Sequence, residues 1–385
     1  MDIDPQYWVR VLLLNDVKNC TLHISSAFSI DNVDPNLQTQ VQLAGLDRLE
    51  NPINIRLIDN EITISGRTFP NKEIIISPDE PYVFNLNGRN YRGKLKLITS
   101  PDGSSFDAMN IVPIESYLAG VAGAEMPDYW EPEALKAQVI AARTYCLYTK
   151  KRFGSNRNWD VGKTAAHQVY LGVSAESAAI WNAVNQTTGM VLTCKQNDGT
   201  EDIFPAYYSS TCGGHTENSK NVFGESFEPL TGVPCSYCKD VAKPKFFFWP
   251  MAQFDKPEVT NKLFQRYEKL KQLDDITDIS VAGESNCGDF SRLTMIELLG
   301  SNGNKEFLRA EDFRLAIDST GRKIKSACFQ LVDLDDSWAF LSGRGWGHGV
   351  GMCQCGAEGM AREGKTARQI LSHYYPGSKI LTIKY

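Results

Sequence analysis

The chain has 385 residues, 42% of them hydrophobic, 10% aromatic and 22% charged, a composition that excludes a disordered chain and a bundle of membrane helices. Its length allows one to three domains. A formal charge of −6 and the absence of any Lys/Arg-rich block exclude a nucleic-acid binder that relies on a concentrated positive surface.

The opening Met1-Asp-Ile-Asp-Pro-Gln-Tyr-Trp8 is acidic and polar, and Val11 to Leu14 is too short for a signal-peptide core or a membrane helix. Neither an export segment nor a membrane span is therefore expected in this stretch. From residue 9 to about 112 the pattern has period two, in Glu73-Ile-Ile-Ile-Ser77, Tyr82-Val-Phe-Asn-Leu86 and Tyr91-Arg-Gly-Lys-Leu-Lys-Leu-Ile98, with Asn87-Gly88 as a hairpin turn. At Pro113 the period becomes helical, and Pro113-Ile-Glu-Ser-Tyr-Leu-Ala-Gly-Val-Ala122 must halt at Met126-Pro127. A second helix, Pro132 to Phe153, places Leu135, Val139, Ala142 and Cys146 on one core stripe. Further helices are expected near Ala175 to Thr187, over residues 254–272 and after Gly351, with strands over residues 279–342. The fold class is α+β, with mixed and antiparallel sheet and packed helices. The expected organisation is a β-rich part over 1–109, helices with paired cysteines over 110–238, a mixed helix and strand insertion over 239–342, and a glycine-rich strand with terminal helices over 343–385.

Glu125, in Gly120-Val-Ala-Gly-Ala-Glu125-Met-Pro127, stands among small and apolar neighbours at a helix end. A poorly solvated carboxyl there would hold a proton near neutral pH and serve as a general acid. The alternative is a helix-end glutamate facing water. Lys136 and Arg143 lie seven residues apart on nearly the same helix face, and the apolar setting of Arg143 points to a specific partner such as a carboxylate.

In Gly343-Arg-Gly345-Trp-Gly347-His-Gly349-Val-Gly351 every second residue is glycine. Read as an extended strand, one face is bare for close approach, and Arg344, Trp346 and His348 project from the other. Trp346 and Tyr207 suit the face of a sugar ring, and His348 reads equally as a satisfied core histidine. Cys212-Gly-Gly-His215 and Cys235-Ser-Tyr-Cys238 are two ligand pairs separated by nineteen residues, the layout of a closed structural zinc site; a disulfide within the set is the alternative. Cys353-Gln-Cys355 has poor chelating spacing and carries no assignment.

Five stretches together resemble the stage II sporulation protein D family: Asn110 through Pro127, Ala134 through Tyr145, Gln168-Val-Tyr-Leu-Gly172, Ser210-Thr-Cys-Gly-Gly-His-Thr216 and Gly343 through Met352. The resemblance implies a lytic transglycosylase that cuts peptidoglycan between N-acetylmuramic acid and N-acetylglucosamine, leaves 1,6-anhydro ends and favours strands without stem peptides. It implies Glu125 as the acid and Lys136, Arg143, Gln168, Tyr170, Tyr207, Ser209 and His348 along a substrate groove, with Lys136 or Arg143 available to grip a lactyl carboxylate. It implies an extracytoplasmic setting and, as a second role known among relatives, binding to peptidoglycan that stimulates a cell-wall amidase without cleavage. A zinc hydrolase built on His215 would need an open metal position. The sequence departs from the family pattern at Gly162, Ala166 and His167, where some members carry a metal cluster, and at Met352-Cys-Gln-Cys-Gly-Ala357.

Overall fold

A computed structural model describes residues 7–32, 41–42, 51–70, 72–196 and 199–384. The class is α+β. The chain divides into two compact units: residues 1–130, 138–191 and 381–385 form one, and residues 131–137 and 192–380 the other.

The first unit is built on two sheets. Seven strands lie in the order Val161–Gly162, Trp8–Val17, Phe106–Pro113, Lys94–Thr99, Glu73–Pro78, Phe28–Asn32 and Val41–Gln42, antiparallel except for the first pair. Period two delivers their inner face, so Val9, Val11 and Leu13 are buried on one strand and Leu95 and Leu97 on another. In the six-stranded sheet Val83–Leu86 pairs with Arg89–Arg92 across Asn87 and Gly88, whose φ values of 49° and 85° are the left-handed pair that a two-residue hairpin requires.

Strand Phe106–Pro113 runs directly into helix α1, Ile114–Glu125. That helix stops where the sequence demands, because Met126 must be extended before Pro127 and has φ −128° and ψ 143°. Helix α2, Pro132–Phe153, buries the expected stripe of Leu135, Val139, Ala142 and Cys146, and also Ala137, Ile140 and Ala141, so its middle is covered on every side. Helix α3, Ala178–Gln186, is capped by Ser177, whose side chain accepts from the Ile180 N–H.

The second unit has its own core, in which Leu263, Ile296, Leu298, Phe313, Trp338 and Phe340 are buried together. Around it lie the antiparallel sheets Ile276–Asn286, Ser291–Gly300, Lys305–Arg309 and Ala252–Asp255, Ser337–Leu341, Gln330–Leu334. The helix expected over 254–272 is Lys256–Arg266 followed by a 3-10 turn, and the helix after Gly351 is Gln354–Arg362. Among the described residues no helix is long and apolar enough to cross a membrane.

Candidate functional site

In the first unit Glu125 is half-buried at the C-terminal end of α1. The Val169 backbone N–H donates to its Oε1 at 2.8 Å. The residues on either side of Val169 anchor that amide. The buried Gln168 accepts from the Tyr117 hydroxyl at 3.0 Å and donates to the Ala142 carbonyl at 3.2 Å. The buried Tyr170 hydroxyl donates to Asn110 Oδ1 at 2.8 Å, and Asn110 Nδ2 donates to the Arg92 carbonyl at 2.8 Å. Gln168 and Tyr170 are thus turned inward, and the amide of Val169 between them is left for the carboxylate. Two glycines of α1 permit the approach: a Cβ on Gly120 would stand 2.5 Å from the Tyr170 ring, and one on Gly123 would stand 1.9 Å from the Ala175 carbonyl oxygen.

Arg143 has the carboxylate partner its setting predicts. The fully buried guanidinium grips Glu115 through Nε at 3.1 Å and Nη2 at 2.5 Å, and Nη1 donates to the Met190 carbonyl at 3.0 Å. The resemblance puts Arg143, Gln168 and Tyr170 against substrate, whereas here all three side chains are enclosed by protein and bonded to it. Lys136 belongs to the second unit, where its Nζ pairs with Glu133 at 2.7 Å and Glu133 Oε2 in turn accepts from the Ala367 N–H at 2.7 Å.

The remaining expected contacts also lie in the second unit. The glycine-rich segment is not the extended strand that alternation suggests. Gly345, Gly347, Gly349 and Gly351 have φ of 82°, 104°, 76° and 70°, so the backbone swings left-handed at every second residue and only Gly343–Arg344 and Met352–Cys353 are strand. The close approaches that the glycines imply are present, each to a different neighbour. A Cβ would meet the Trp249 ring at Gly343, the Thr211 carbonyl at Gly345, Ser209 Cβ at Gly347, the Arg292 guanidinium at Gly349 and the Tyr207 carbonyl at Gly351.

His348 uses both ring nitrogens internally. Val350 N–H donates to Nδ1 at 3.0 Å, which places the ring proton on Nε2, and Nε2 donates to the Tyr208 carbonyl at 2.9 Å. Burial pulls its pKa down to about 4, so the ring is neutral near neutral pH. His348 therefore has the satisfied character that was one of its two readings. Tyr207 stacks on Phe223 with centroids 4.2 Å apart, and Trp346 packs on Phe246 at 4.5 Å with Lys325 Nζ 5.4 Å from its ring centre; both tyrosine and tryptophan remain partly exposed. Ser209 is buried, and among the described residues its hydroxyl has no hydrogen-bond partner.

The cysteines assemble differently from their spacing. The thiols of Cys212, Cys235 and Cys238 meet Cys353, with all four Sγ atoms within 4.8 Å of one another. This buried set could hold a metal ion. His215 is not in it: Gly213 and Gly214, with φ of 79° and 121°, turn the chain sharply after Cys212, and the partly exposed His215 ring bonds through Nδ1 to the Thr216 carbonyl. All ten cysteines are free, and Cys212 Sγ stands 3.7 Å from Cys238 Sγ, a non-bonded separation that leaves no disulfide in the cluster.

Three participants escaped the sequence. Val169 acts through its main chain, which has no side-chain signature. Glu115 was hidden because a helical first-turn acid is ordinarily solvated. Cys353 has only one residue between it and Cys355, a poor chelating spacing, although a cysteine immediately ahead of a helix is a sound ligand position on its own.

Comparison with known proteins places these observations in a class. The family model described as stage II sporulation protein matches residues 102–194, the span that includes Glu125, Arg143 and Val169. An uncharacterised protein of Brachyspira hyodysenteriae is 34% identical over 77% of this chain and 74% of its own length. Stage II sporulation protein D of Bacillus subtilis is 30% identical over 70% of this chain and 74% of its own length. The amidase enhancer of the same bacterium is 27% identical over 85% of this chain, which spans 49% of that larger protein. The chain belongs to the stage II sporulation protein D family.

Proposed function

We propose that the chain is a lytic transglycosylase of peptidoglycan glycan strands, with Glu125 acting first as acid and then as base. The observation that carries this reading is the half-buried Glu125 carboxylate, set at the end of α1 and oriented by the Val169 N–H within the family motif. Protonated Glu125 gives its proton to the glycosidic oxygen, and the bond from that oxygen to C1 of N-acetylmuramic acid breaks. The C6 hydroxyl oxygen of the same sugar bonds to C1, and its proton passes to the Glu125 carboxylate, which restores the acid. One carboxylate is enough because the nucleophile belongs to the substrate, unlike the two-carboxylate scheme of glycoside hydrolases. The Val169 amide fixes the carboxylate in one orientation, which is how binding geometry lowers such a barrier.

Proposed sugar contacts in the second unit are the partly exposed rings of Trp346 and Tyr207, with His348 bonded to the Tyr208 carbonyl beside them and Ser209 packed against Gly347. Lys136 is proposed to meet the lactyl carboxylate of peptide-free muramic acid, while Arg143, Gln168 and Tyr170 are positioning residues. No cofactor enters the cleavage step. Zinc is proposed in a structural part alone, on the donor chemistry of the thiol cluster.

A second reading rests on the relative named amidase enhancer, which aligns over 85% of this chain. It makes the protein a non-catalytic peptidoglycan-binding activator of an N-acetylmuramoyl-L-alanine amidase. Mass spectrometry of peptide-free glycan strands incubated with wild-type and Glu125→Gln protein separates the two. Anhydro-muramyl ends from the wild type alone are the expected result. Reducing ends would make the protein a hydrolase, and intact strands from both proteins would favour the activator.

A further inference from the structure

The cysteine cluster supports more than its residue types announce. In a tetrahedral zinc site with metal–sulfur bonds of about 2.3 Å, neighbouring sulfurs stand about 3.8 Å apart. Cys212 Sγ and Cys238 Sγ are 3.7 Å apart, and no pair among the four exceeds 4.8 Å. Sulfurs at that distance are too far for a disulfide and sit where a small cation would bridge them.

Several neighbours donate to these sulfurs, while Cys353 Sγ also faces the Ser210 carbonyl at 3.9 Å. The Cys212 N–H donates to Cys353 Sγ at 3.2 Å and the Gly356 N–H donates to it at 3.4 Å. The Tyr374 hydroxyl lies 3.1 Å from Cys235 Sγ, in reach to donate. Cys353 is also the N-cap of helix Gln354–Arg362, where the helix end favours negative charge. Amide donors aimed at ligating sulfur are the usual outer support of a thiolate metal site. Cys355, two residues on, stays out of the cluster and accepts instead from the Thr211 hydroxyl at 3.1 Å.

We infer that Cys212, Cys235, Cys238 and Cys353 form a closed tetrathiolate zinc site that clasps the glycine-rich loop to the segment before Cys212. This extends the structural-zinc reading above and is independent of the glycan chemistry. Cys353 ends one strand of the parallel pair in which Tyr208 faces Met352 and Ser209 faces Cys353, and Cys212 comes shortly after the end of the other. The loop between Arg344 and Met352 leaves and re-enters that region, and Trp346 exchanges backbone hydrogen bonds with Thr211 at 2.8 and 3.1 Å. An ion bonded to both cysteines closes the base of this loop. Binding turns four thiols into thiolates, their protons pass to solvent, and no coordination position is left for a reacting water.

The test uses metal analysis and cobalt substitution of the full chain. Protein purified from zinc-supplemented cells is expected to carry one zinc per chain, and the Co(II) form is expected to show the intense visible bands and sulfur charge transfer of a tetrathiolate. His215→Ala and Cys355→Ser should keep both signatures, and Cys353→Ser should lose them. If Cys353→Ser does not fold, the wild-type Co(II) spectrum and the His215→Ala variant still decide between four sulfurs and three sulfurs with an imidazole. The clasp is read by limited proteolysis, with zinc removal opening the chain between Arg344 and Met352. Metal-free wild-type protein that gives no Co(II) bands, a three-sulfur spectrum abolished by His215→Ala, or cleavage in the loop that zinc removal leaves unchanged would each overturn the inference. None of these measurements depends on whether the chain cuts glycan.

Discussion

The Val169 N–H donates to Glu125 Oε1 across 2.8 Å, and the two residues flanking Val169 are held inward by buried hydrogen bonds of their own. A main-chain donor survives almost any side-chain change at its own position. Val169→Ala is therefore expected to retain most activity, while Val169→Pro, which deletes the donor, should lose activity on glycan strands by roughly tenfold or more. Comparing cleavage rates of the two variants at matched folding, judged by circular dichroism, checks this.

Tyr170→Phe keeps the ring but removes the partner of Asn110 Oδ1. Leaving that buried acceptor unsatisfied should cost about 1–3 kcal/mol of stability. Denaturant unfolding of the first unit's signal reads the change, and an unaltered midpoint would show that the bond contributes nothing net.

Arg143→Met leaves Glu115 without its bidentate partner and the Met190 carbonyl without its donor. Breaking one side of a buried pair should destabilise by about 3–5 kcal/mol. The paired change Glu115→Leu with Arg143→Met is expected to recover part of that loss, and a double-mutant cycle measures how much.

Two glycines of the glycine-rich loop and the hairpin glycine Gly88 form a graded series. Gly343→Ala places a methyl 2.0 Å from the Trp249 ring, and Gly351→Ala combines a left-handed φ of 70° with a methyl 2.0 Å from the Tyr207 carbonyl oxygen. Gly88→Ala has a left-handed φ of 85° but nothing within 4 Å. Gly88→Ala should cost about 1–2 kcal/mol from backbone strain alone, and each of the other two about 3 kcal/mol or more from strain or overpacking. Thermal unfolding of the three variants should follow that order.

His348 carries a pH signature. Its folded pKa of about 4 lies below the ordinary histidine value of about 6.5. As pH falls the unfolded chain takes up the proton first, so the stabilisation is full above about pH 6.5 and is lost on the way down to about pH 4. Glu311, Arg314 and Arg292 act on the ring in the same region and stay in place in a His348→Gln variant. The wild type should therefore lose stability more steeply than the variant across this window in chemical denaturation, and parallel curves would refute a titrating His348.

Local chemistry was the legible part of the chain. Asn87-Gly88 announced its hairpin, Met126-Pro127 ended α1, and the stripe from Leu135 to Cys146 faced the core, because each depends on neighbours within a few residues. The Arg143 setting revealed a carboxylate partner but not that the pair would be enclosed, since burial is set by the whole unit. The partition of α2, with residues 131–137 in one unit and 138 onward in the other, has no mark in its unbroken periodicity.

The metal candidates show the same limit in another form. Pair spacing found Cys212, Cys235 and Cys238, whose ring of sulfurs is completed by a residue far along the chain. His215 satisfied the spacing, yet two left-handed glycines redirect the chain before it. The alternating glycines suggest a bare strand face because period two is what extended chain shows. Left-handed turns at the same interval produce an identical letter pattern, and only the backbone angles tell them apart.

That alternation also bears on the order in which the molecule comes together. Glycine gives up more freedom than any other residue when it is fixed, at about 1–2 kcal/mol of backbone entropy for each position ordered. Five glycines within nine residues make Gly343 to Gly351 one of the most expensive stretches of the chain to immobilise. Its order is borrowed from Thr211, Arg292, Tyr207 and the strands at its ends, none of which can hold it until they are themselves in place. The loop that carries Trp346 and His348 is therefore expected to order late, and its amides should exchange with solvent well before those of the core around Phe313 and Phe340.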